Sequence, residues 1–195
     1  MSDMAEPMSA PYVVLVVGRP AAGKSTLSRI IAERWQLPLV AKDDLKEILF
    51  DTLGAADRDR SRALGRATFA LLDHVIELQL LSGRPFLVDA SYDARYEDAK
   101  FQSWQRRFGF TAVQVHCTAP PEELLRRFVR RAHEEGMRHP GHADGESIDE
   151  FRRSLTDGRK ETLSLAGPVL AYESARLDGE RKLLQELAAI LPAPL

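Results

Sequence analysis

Tyr12-Val13-Val14-Leu15-Val16-Val17-Gly18-Arg19-Pro20-Ala21-Ala22-Gly23-Lys24-Ser25-Thr26 is the stretch on which the reading of this chain turns. Its first six residues form an unbroken, largely β-branched apolar run ended by glycine. That pattern predicts a strand buried on both faces of a parallel sheet, and so a central strand. From Lys24 to Trp35 the apolar positions Leu27, Ile30, Ile31 and Trp35 fall at helical spacing. The turn between the two elements is rich in glycine.

Gly18 to Ser25 satisfies Gly-x-x-x-x-Gly-Lys-[Ser/Thr], in the strand-to-helix context that the motif requires. With 12 Gly in 195 residues, about 0.002 accidental matches are expected from this composition, so a chance turn is a poor explanation. The chemistry accounts for the spacing. Glycines at both ends let the backbone curl until successive N–H groups face phosphate oxygens, assisted by the positive end of the helix. The motif assigns Gly18, Pro20, Ala21, Ala22, Gly23, Lys24, Ser25 and Thr26 to a nucleoside triphosphate. Lys24 is expected at the β- and γ-phosphates, Ser25 on Mg²⁺ and Thr26 at the α-phosphate.

Further along, Leu37 to Val40 reads as a short second strand, followed by a helix from Asp43. A long helix is expected over Arg58 to Leu81, a third strand at Phe86 to Val88 leading into Asp89, and a helix over Arg95 to Phe108. A fourth strand follows at Thr111 to Cys117, then a basic helix from Glu122 to Glu135 and a loop from Gly136 to Gly145. Ile148 to Arg159 predicts another helix, Val169 to Tyr172 a fifth strand and Glu180 to Leu191 a closing helix. Strands alternating with helices make this an α/β chain with a mainly parallel sheet.

Length and composition bound the rest. At 195 residues the chain suits a single domain over 12–195, with Met1 to Pro11 read as a disordered leader. Hydrophobic residues make up 44% and charged residues 29%, which excludes a disordered or fibrous chain. The net charge of −2 supplies no global attraction to nucleic acid or to an anionic membrane. No apolar run reaches the ~18 residues of a membrane helix. Cys117 is the only cysteine, so an intramolecular disulfide is impossible and a reducing, cytoplasmic setting is expected.

Lys42-Asp43-Asp44-Leu45-Lys46 follows the second strand at the end where open α/β sheets bind ligands. A carboxylate there can accept the proton of an attacking hydroxyl. Asp43 or Asp44 is equally suited to cap the next helix, and two adjacent acids allow both roles. Arg126, Arg127, Arg130 and Arg131 form two i,i+4 pairs on the basic helix. They read either as a solvated face balanced by Glu122, Glu123, Glu134 and Glu135 or as a phosphate-binding surface. Arg138-His139-Pro140-Gly141-His142-Ala143-Asp144 admits three readings: an ordinary loop, a segment that closes on the acceptor, or, on weaker grounds, a metal site.

Gly18 to Ser25, Lys42 to Lys46, Asp89-Ala90-Ser91 and the Arg-rich helix together resemble the polynucleotide-kinase and zeta-toxin-like branch of the P-loop kinases. That group also holds chloramphenicol phosphotransferase and many small bacterial "AAA family ATPase" proteins. The resemblance spans nearly all of the chain after Pro11. It implies a P-loop NTPase three-layer sandwich with a five-stranded, mainly parallel sheet and a helical lid inserted at about 120–160. By position, Asp43 matches the group's general base. Lys46 stands where an acceptor-binding Arg is usual and cannot form a bidentate pair. Asp89 matches a Walker-B-like or substrate-contacting acid, and Ser91 replaces the Asn of the phage kinase. The lid arginines match in register as Arg127 and Arg131, with Arg126 and Arg130 as the other pairing. Lys46, Asp89, Ser91, Arg138 and His139 are the remaining acceptor-side candidates.

These readings converge on an ATP- and Mg²⁺-dependent phosphotransferase acting on a hydroxyl of a small molecule, with Lys24, Asp43, Arg127 and Arg131 as its catalytic set. A polynucleotide 5′-hydroxyl kinase is less favoured because it needs a continuous cationic groove. A non-catalytic ATP-binding switch is the alternative outside catalysis.

Overall fold

A computed structural model describes residues 11–54, 58–134, 139–142 and 144–193. Of the expected leader only Pro11 falls within them. The strands are β1 (Tyr12–Gly18), β2 (Leu39–Ala41), β3 (Phe86–Asp89), β4 (Thr111–Thr118) and β5 (Val169–Glu173). The helices are α1 (Lys24–Trp35), α2 (Lys42–Leu53), α3 (Arg58–Ser82), α4 (Ala94–Phe108), α5 (Pro121–His133), α6 (Ile148–Ser154) and α7 (Gly179–Ile190). Every strand pairing is parallel, in the order β2-β3-β1-β4-β5. The Val-rich run is therefore central, as its composition requires.

The two-residue period of β1 divides the molecule into layers. Tyr12, Val14 and Val16 point to a core shared with α1, α5, α6 and α7. Val13, Leu15 and Val17 point to one shared with α3 and α4. The molecule is a P-loop NTPase-like three-layer sandwich of the kinase-like kind. β5, at the sheet edge, leaves Val169, Ala171 and Glu173 exposed.

Two local expectations are revised. Neither Asp43 nor Asp44 caps α2: Ala41 takes the N-cap position, and both acids lie in the first turn, where the helix dipole favours them. The helix expected over Ile148 to Arg159 stops at Ser154. The Ser154 carbonyl, one of the orphan acceptors at a helix end, takes a hydrogen bond from the Arg19 guanidinium instead. Beyond it the chain returns to the sheet without regular structure. There the fully buried Gln114 amide donates to Leu163 O at 2.9 Å and accepts from Leu163 N at 2.7 Å, so this buried turn leaves neither backbone group unpaired.

The register sets the working end. Val16 lies opposite Asp89, Ala41 opposite Asp89 from the other side, and Gly18 opposite Cys117. The phosphate loop, the start of α2 and the loop after β3 thus leave the sheet side by side at its carboxyl edge, where crevices form in open α/β sheets.

Candidate active site

A cleft of about 650 Å³ opens at that edge. Pro20, Ala21, Gly23, Lys24, Ser25 and Thr26 form its floor. Lys42, Asp43, Lys46, Phe69 and Ser91 line one wall, and Arg127, Arg130, Arg131, His142, Asp144, Glu150 and Arg159 contribute from the lid and its return. Gly18 supports the floor from below. Its φ is +140°, and a Cβ there would sit 2.2 Å from the Cys117 carbonyl oxygen, so only glycine fits. Gly23, at φ +85°, is the N-cap of α1 and supplies no side-chain cap. No acid occupies the first helical turn, which leaves its amides to an anion. Ala21 also adopts a positive φ, +65°, a conformation rarely tolerated outside glycine and one that concentrates at functional loops.

Lys24 is 9% exposed, and its Nζ donates to Arg19 O at 2.9 Å. Burial pushes its ammonium below the ordinary lysine value, opposed by the carboxylates of Asp89 and Asp43. Asp89 is buried behind the loop and receives a hydrogen bond from the Ser25 hydroxyl. Burial raises its carboxyl above the usual range despite the nearby Lys24. Asp89 is not part of the cleft wall. The structure sets it beside Ser25 rather than toward the acceptor side.

On the other wall, Lys42 Nζ lies 3.2 Å from Asp43 Oδ1 and 5.8 Å from the Phe69 ring centroid. Lys46 is buried, and its Nζ donates to Ser61 Oγ at 3.2 Å. Ser61 in turn donates to Gly141 O at 3.1 Å. Lys46 thus lines the cleft while also tying α2 and α3 to the lid return.

The α5 helix begins with Pro121 at its first position, where the missing N–H costs nothing. Its rotation turns Arg127 and Arg131 inward, brings Arg130 to the rim and leaves Arg126 outside the wall, paired with Glu123. Arg127 Nε meets Glu123 Oε1 at 2.6 Å, and its Nη1 donates to Ser174 Oγ at 2.7 Å. The guanidinium therefore spans from the lid to the loop after β5. Arg126 and Arg127 together hold the Glu123 carboxyl down at about 2. Arg131 Nε lies 2.7 Å from Asp144 Oδ2 and its guanidinium covers the Phe128 ring.

The His segment clasps α2. His139 Nε2 lies 3.0 Å from Asp51 Oδ1, and His142 Nε2 lies 2.9 Å from Glu47 Oε1. Asp51 and Glu47 are one helical turn apart, while Phe50 packs edge-on to His139 and against Gly141. His139 is thus outside the cleft wall and His142 within it. No group of three His, Cys, Asp or Glu suited to a metal occurs among the described residues. Arg138 lies outside the described residues.

Sequence reasoning missed Arg19, Ser174, Phe69 and Arg159. Arg19 is a variable position of the loop motif, yet its guanidinium bonds the Ser154 carbonyl, Asp157 at 3.2 Å and Glu161 at 2.8 Å. It couples the phosphate loop to the end of the lid. His116 completes that cluster, 3.2 Å from Glu161. No local motif pointed to any of the four. Buried Cys117 is core, its thiol pushed up to about 12 by burial. No helix among the described residues is long and apolar enough to cross a membrane.

Comparison with known proteins agrees with this architecture. A crystal structure of a protein described as a "putative kinase" from Chloroflexus aurantiacus is 31% identical. It superposes with a TM-score of 0.83 over 94% of this chain and 100% of that one. A sugar kinase from Janibacter, 15% identical with a TM-score of 0.50 over 90% of this chain and 92% of its own, shares the fold. A gluconokinase from Sinorhizobium meliloti is 20% identical, with a TM-score of 0.47 over 92% of this chain and 97% of its own. No curated protein matches. Residues 13–157 match the family described as AAA domain, and a match over well over half of the 195 residues, on a P-loop kinase-like fold, makes this chain a member of that family.

Proposed function

We propose that this protein is a kinase that transfers the γ-phosphoryl group of ATP to a hydroxyl of a small molecule, with Asp43 as the base. One observation carries the reading: Asp43, after β2, and the phosphate loop, after β1, line the same cleft, with only β3 between their strands. The resemblance to the polynucleotide-kinase and zeta-toxin-like branch supports the same chemistry.

In this reading the loop amides and Lys24 hold the triphosphate, and Arg127 and Arg131 spread the charge of the transferring group. The acceptor oxygen bonds to the γ-phosphorus as the bond to the β–γ bridging oxygen breaks. The hydroxyl proton passes to Asp43 and then to solvent, and ADP departs. Because such transition states are loose, Asp43 contributes chiefly by orienting the acceptor in line. Lys42 steadies its carboxylate.

The hydroxyl of Ser25, in the first turn of α1, and the buried carboxylate of Asp89, at the end of β3, are neighbouring hard oxygen donors, a set that suits Mg²⁺. These residues would hold the ion, which when bound neutralises phosphate charge. His139 acts in this reading by fastening the lid to α2 rather than by touching the acceptor.

The test is transfer of labelled γ-phosphate from ATP into a metabolite extract. Asp43→Asn should retain ATP binding and lose transfer about 10³-fold. An unchanged transfer rate removes Asp43 from the chemistry. ATP binding with no labelled compound from any fraction favours a switch, and label confined to oligonucleotides favours a polynucleotide kinase.

A further inference from the structure

Apart from Arg130, which stands half-exposed at the rim 4.0 Å from Glu134, Arg159 is the least tightly paired arginine of the cleft. Arg127 is engaged by Glu123 and Ser174, Arg131 by Asp144, and Lys42 by Asp43. Arg159, by contrast, is only about one-quarter exposed, yet among the described residues its guanidinium makes only two long contacts. These are 3.7 Å to Asp93 and 3.9 Å to Asp157, and its Nε has no hydrogen-bond partner. A buried guanidinium N–H left without a hydrogen bond is costly unless a ligand completes it. Its planar fork matches a carboxylate or phosphate.

Its position assigns the ligand. Arg127 reaches Ser174 after β5, which places the nucleotide side of the cleft toward β4 and β5. Arg159 is held away from β5, between Asp93 in the loop after β3 and Asp157, which also pairs with Arg19 of the phosphate loop. Ala94 N donates to Lys160 O at 2.9 Å, and Asp93 flanks the guanidinium. On that side Ser91 also lines the cleft, and β2 delivers Asp43 alongside. The Asp43 carboxylate suits a neutral hydroxyl, and the Arg159 guanidinium, held only at 3.7 and 3.9 Å by its own two carboxylates, is the group on this side that suits an anionic one.

We infer that the acceptor is a small hydroxy acid, whose hydroxyl meets Asp43 and whose anionic head, carboxylate or phosphate, is read by Arg159 with help from Ser91. The inference rests on the kinase reading and adds the substrate class. A cleft of about 650 Å³ that must also admit a triphosphate limits the acceptor to metabolite size. Transfer proceeds as above: the acceptor oxygen gains the γ-phosphoryl group, the β–γ bond breaks, and the proton leaves through Asp43.

The experiment uses the full chain, labelled ATP and a metabolite extract filtered to low molecular mass, then divided on an anion exchanger. Acceptor activity should lie in the retained fraction. Alkaline phosphatase treatment of that fraction, followed by enzyme removal, destroys a phosphate-bearing acceptor and spares a carboxylate-bearing one. With the active fraction, Arg159→Gln should raise the acceptor KM about 30- to 100-fold while the ATP KM moves less than threefold. Arg159→Lys should restore part of the loss. Activity in the unretained fraction overturns the inference and leaves the kinase reading standing, as does an Arg159→Gln defect that falls on kcat or on ATP. Activity only in the material excluded by the filter overturns it in favour of a polymer acceptor. Label in no fraction defeats the kinase reading and this inference with it.

Discussion

The two sides of the cleft are built in different ways. The floor, which the proposed reading gives to the nucleotide, is one continuous stretch, 18–26, curled by two glycines and steadied by β1 and α1. The acceptor side is assembled from Lys42, Asp43 and Lys46 on α2, Phe69 on α3, Ser91 after β3, and Arg159 beyond the lid. The first is a backbone device, in which N–H groups do most of the binding and side chains matter little. The second is a side-chain device, held by a chain of contacts from Lys46 through Ser61 to Gly141 and by the two His–carboxylate pairs. A scaffold of this kind can keep its nucleotide chemistry while its acceptor wall changes, because the two share almost no residues.

Glycine substitutions probe that contrast most strongly. Gly18→Ala brings a methyl group against the Cys117 backbone oxygen in a conformation alanine resists, and a loss of about 3 kcal/mol or more is expected. Gly141→Ala meets only the Phe50 side chain, at 2.8 Å, so a smaller loss of about 1–2 kcal/mol and a weakened lid clasp are expected. Urea unfolding of both variants decides the matter. Equal losses would mean that the phosphate loop is no more rigidly specified than the clasp.

A smaller effect is expected from the clasp itself. His142→Ala and Glu47→Ala, alone and combined, should show a coupling of about 1 kcal/mol. A coupling near zero would mean that the lid return is held by Gly141 and Ser61 alone.

The smallest test separates the two sides by pH. Burial keeps the Asp89 carboxyl above its ordinary 3.8, so the folded chain retains a proton that the unfolded chain has released. The stability contributed by this group is complete below 3.8 and is lost as pH rises through the higher folded value. In the ligand-free protein Asp89→Asn removes that slope. The stability of the variant relative to wild type should therefore increase as pH rises across the window, in urea titrations at closely spaced pH. A difference that does not change with pH would show that burial does not raise the Asp89 carboxyl in the folded chain.

Legibility followed the same division. The Val-rich strand, the loop motif and the α/β alternation depend on neighbours in sequence, and all are present in the structure. Strand ends and helical periodicity marked the Asp43-Asp44 pair and two arginine pairs, and the resemblance to the kinase branch singled out Asp43, Arg127 and Arg131 among them. The cap assigned to Asp43 or Asp44 failed because the first turn of α2 begins at Lys42, directly on the end of β2. The helix past Ser154 failed because Arg19, 135 residues away, takes its terminal carbonyl. Phe69, Ser174 and Arg159 had no local pattern to announce them.

Backbone geometry and short-period hydrophobicity are properties of adjacent residues, and they were enough to specify the sheet, its central strand and a loop shaped for phosphate. Which side chains face one another across the cleft depends on the packing of segments as far apart in sequence as Arg19 and Glu161. Only the folded chain could set Asp89 behind Ser25, turn the two histidines onto α2 and bring Arg159 into the cleft beside Asp93 and Asp157.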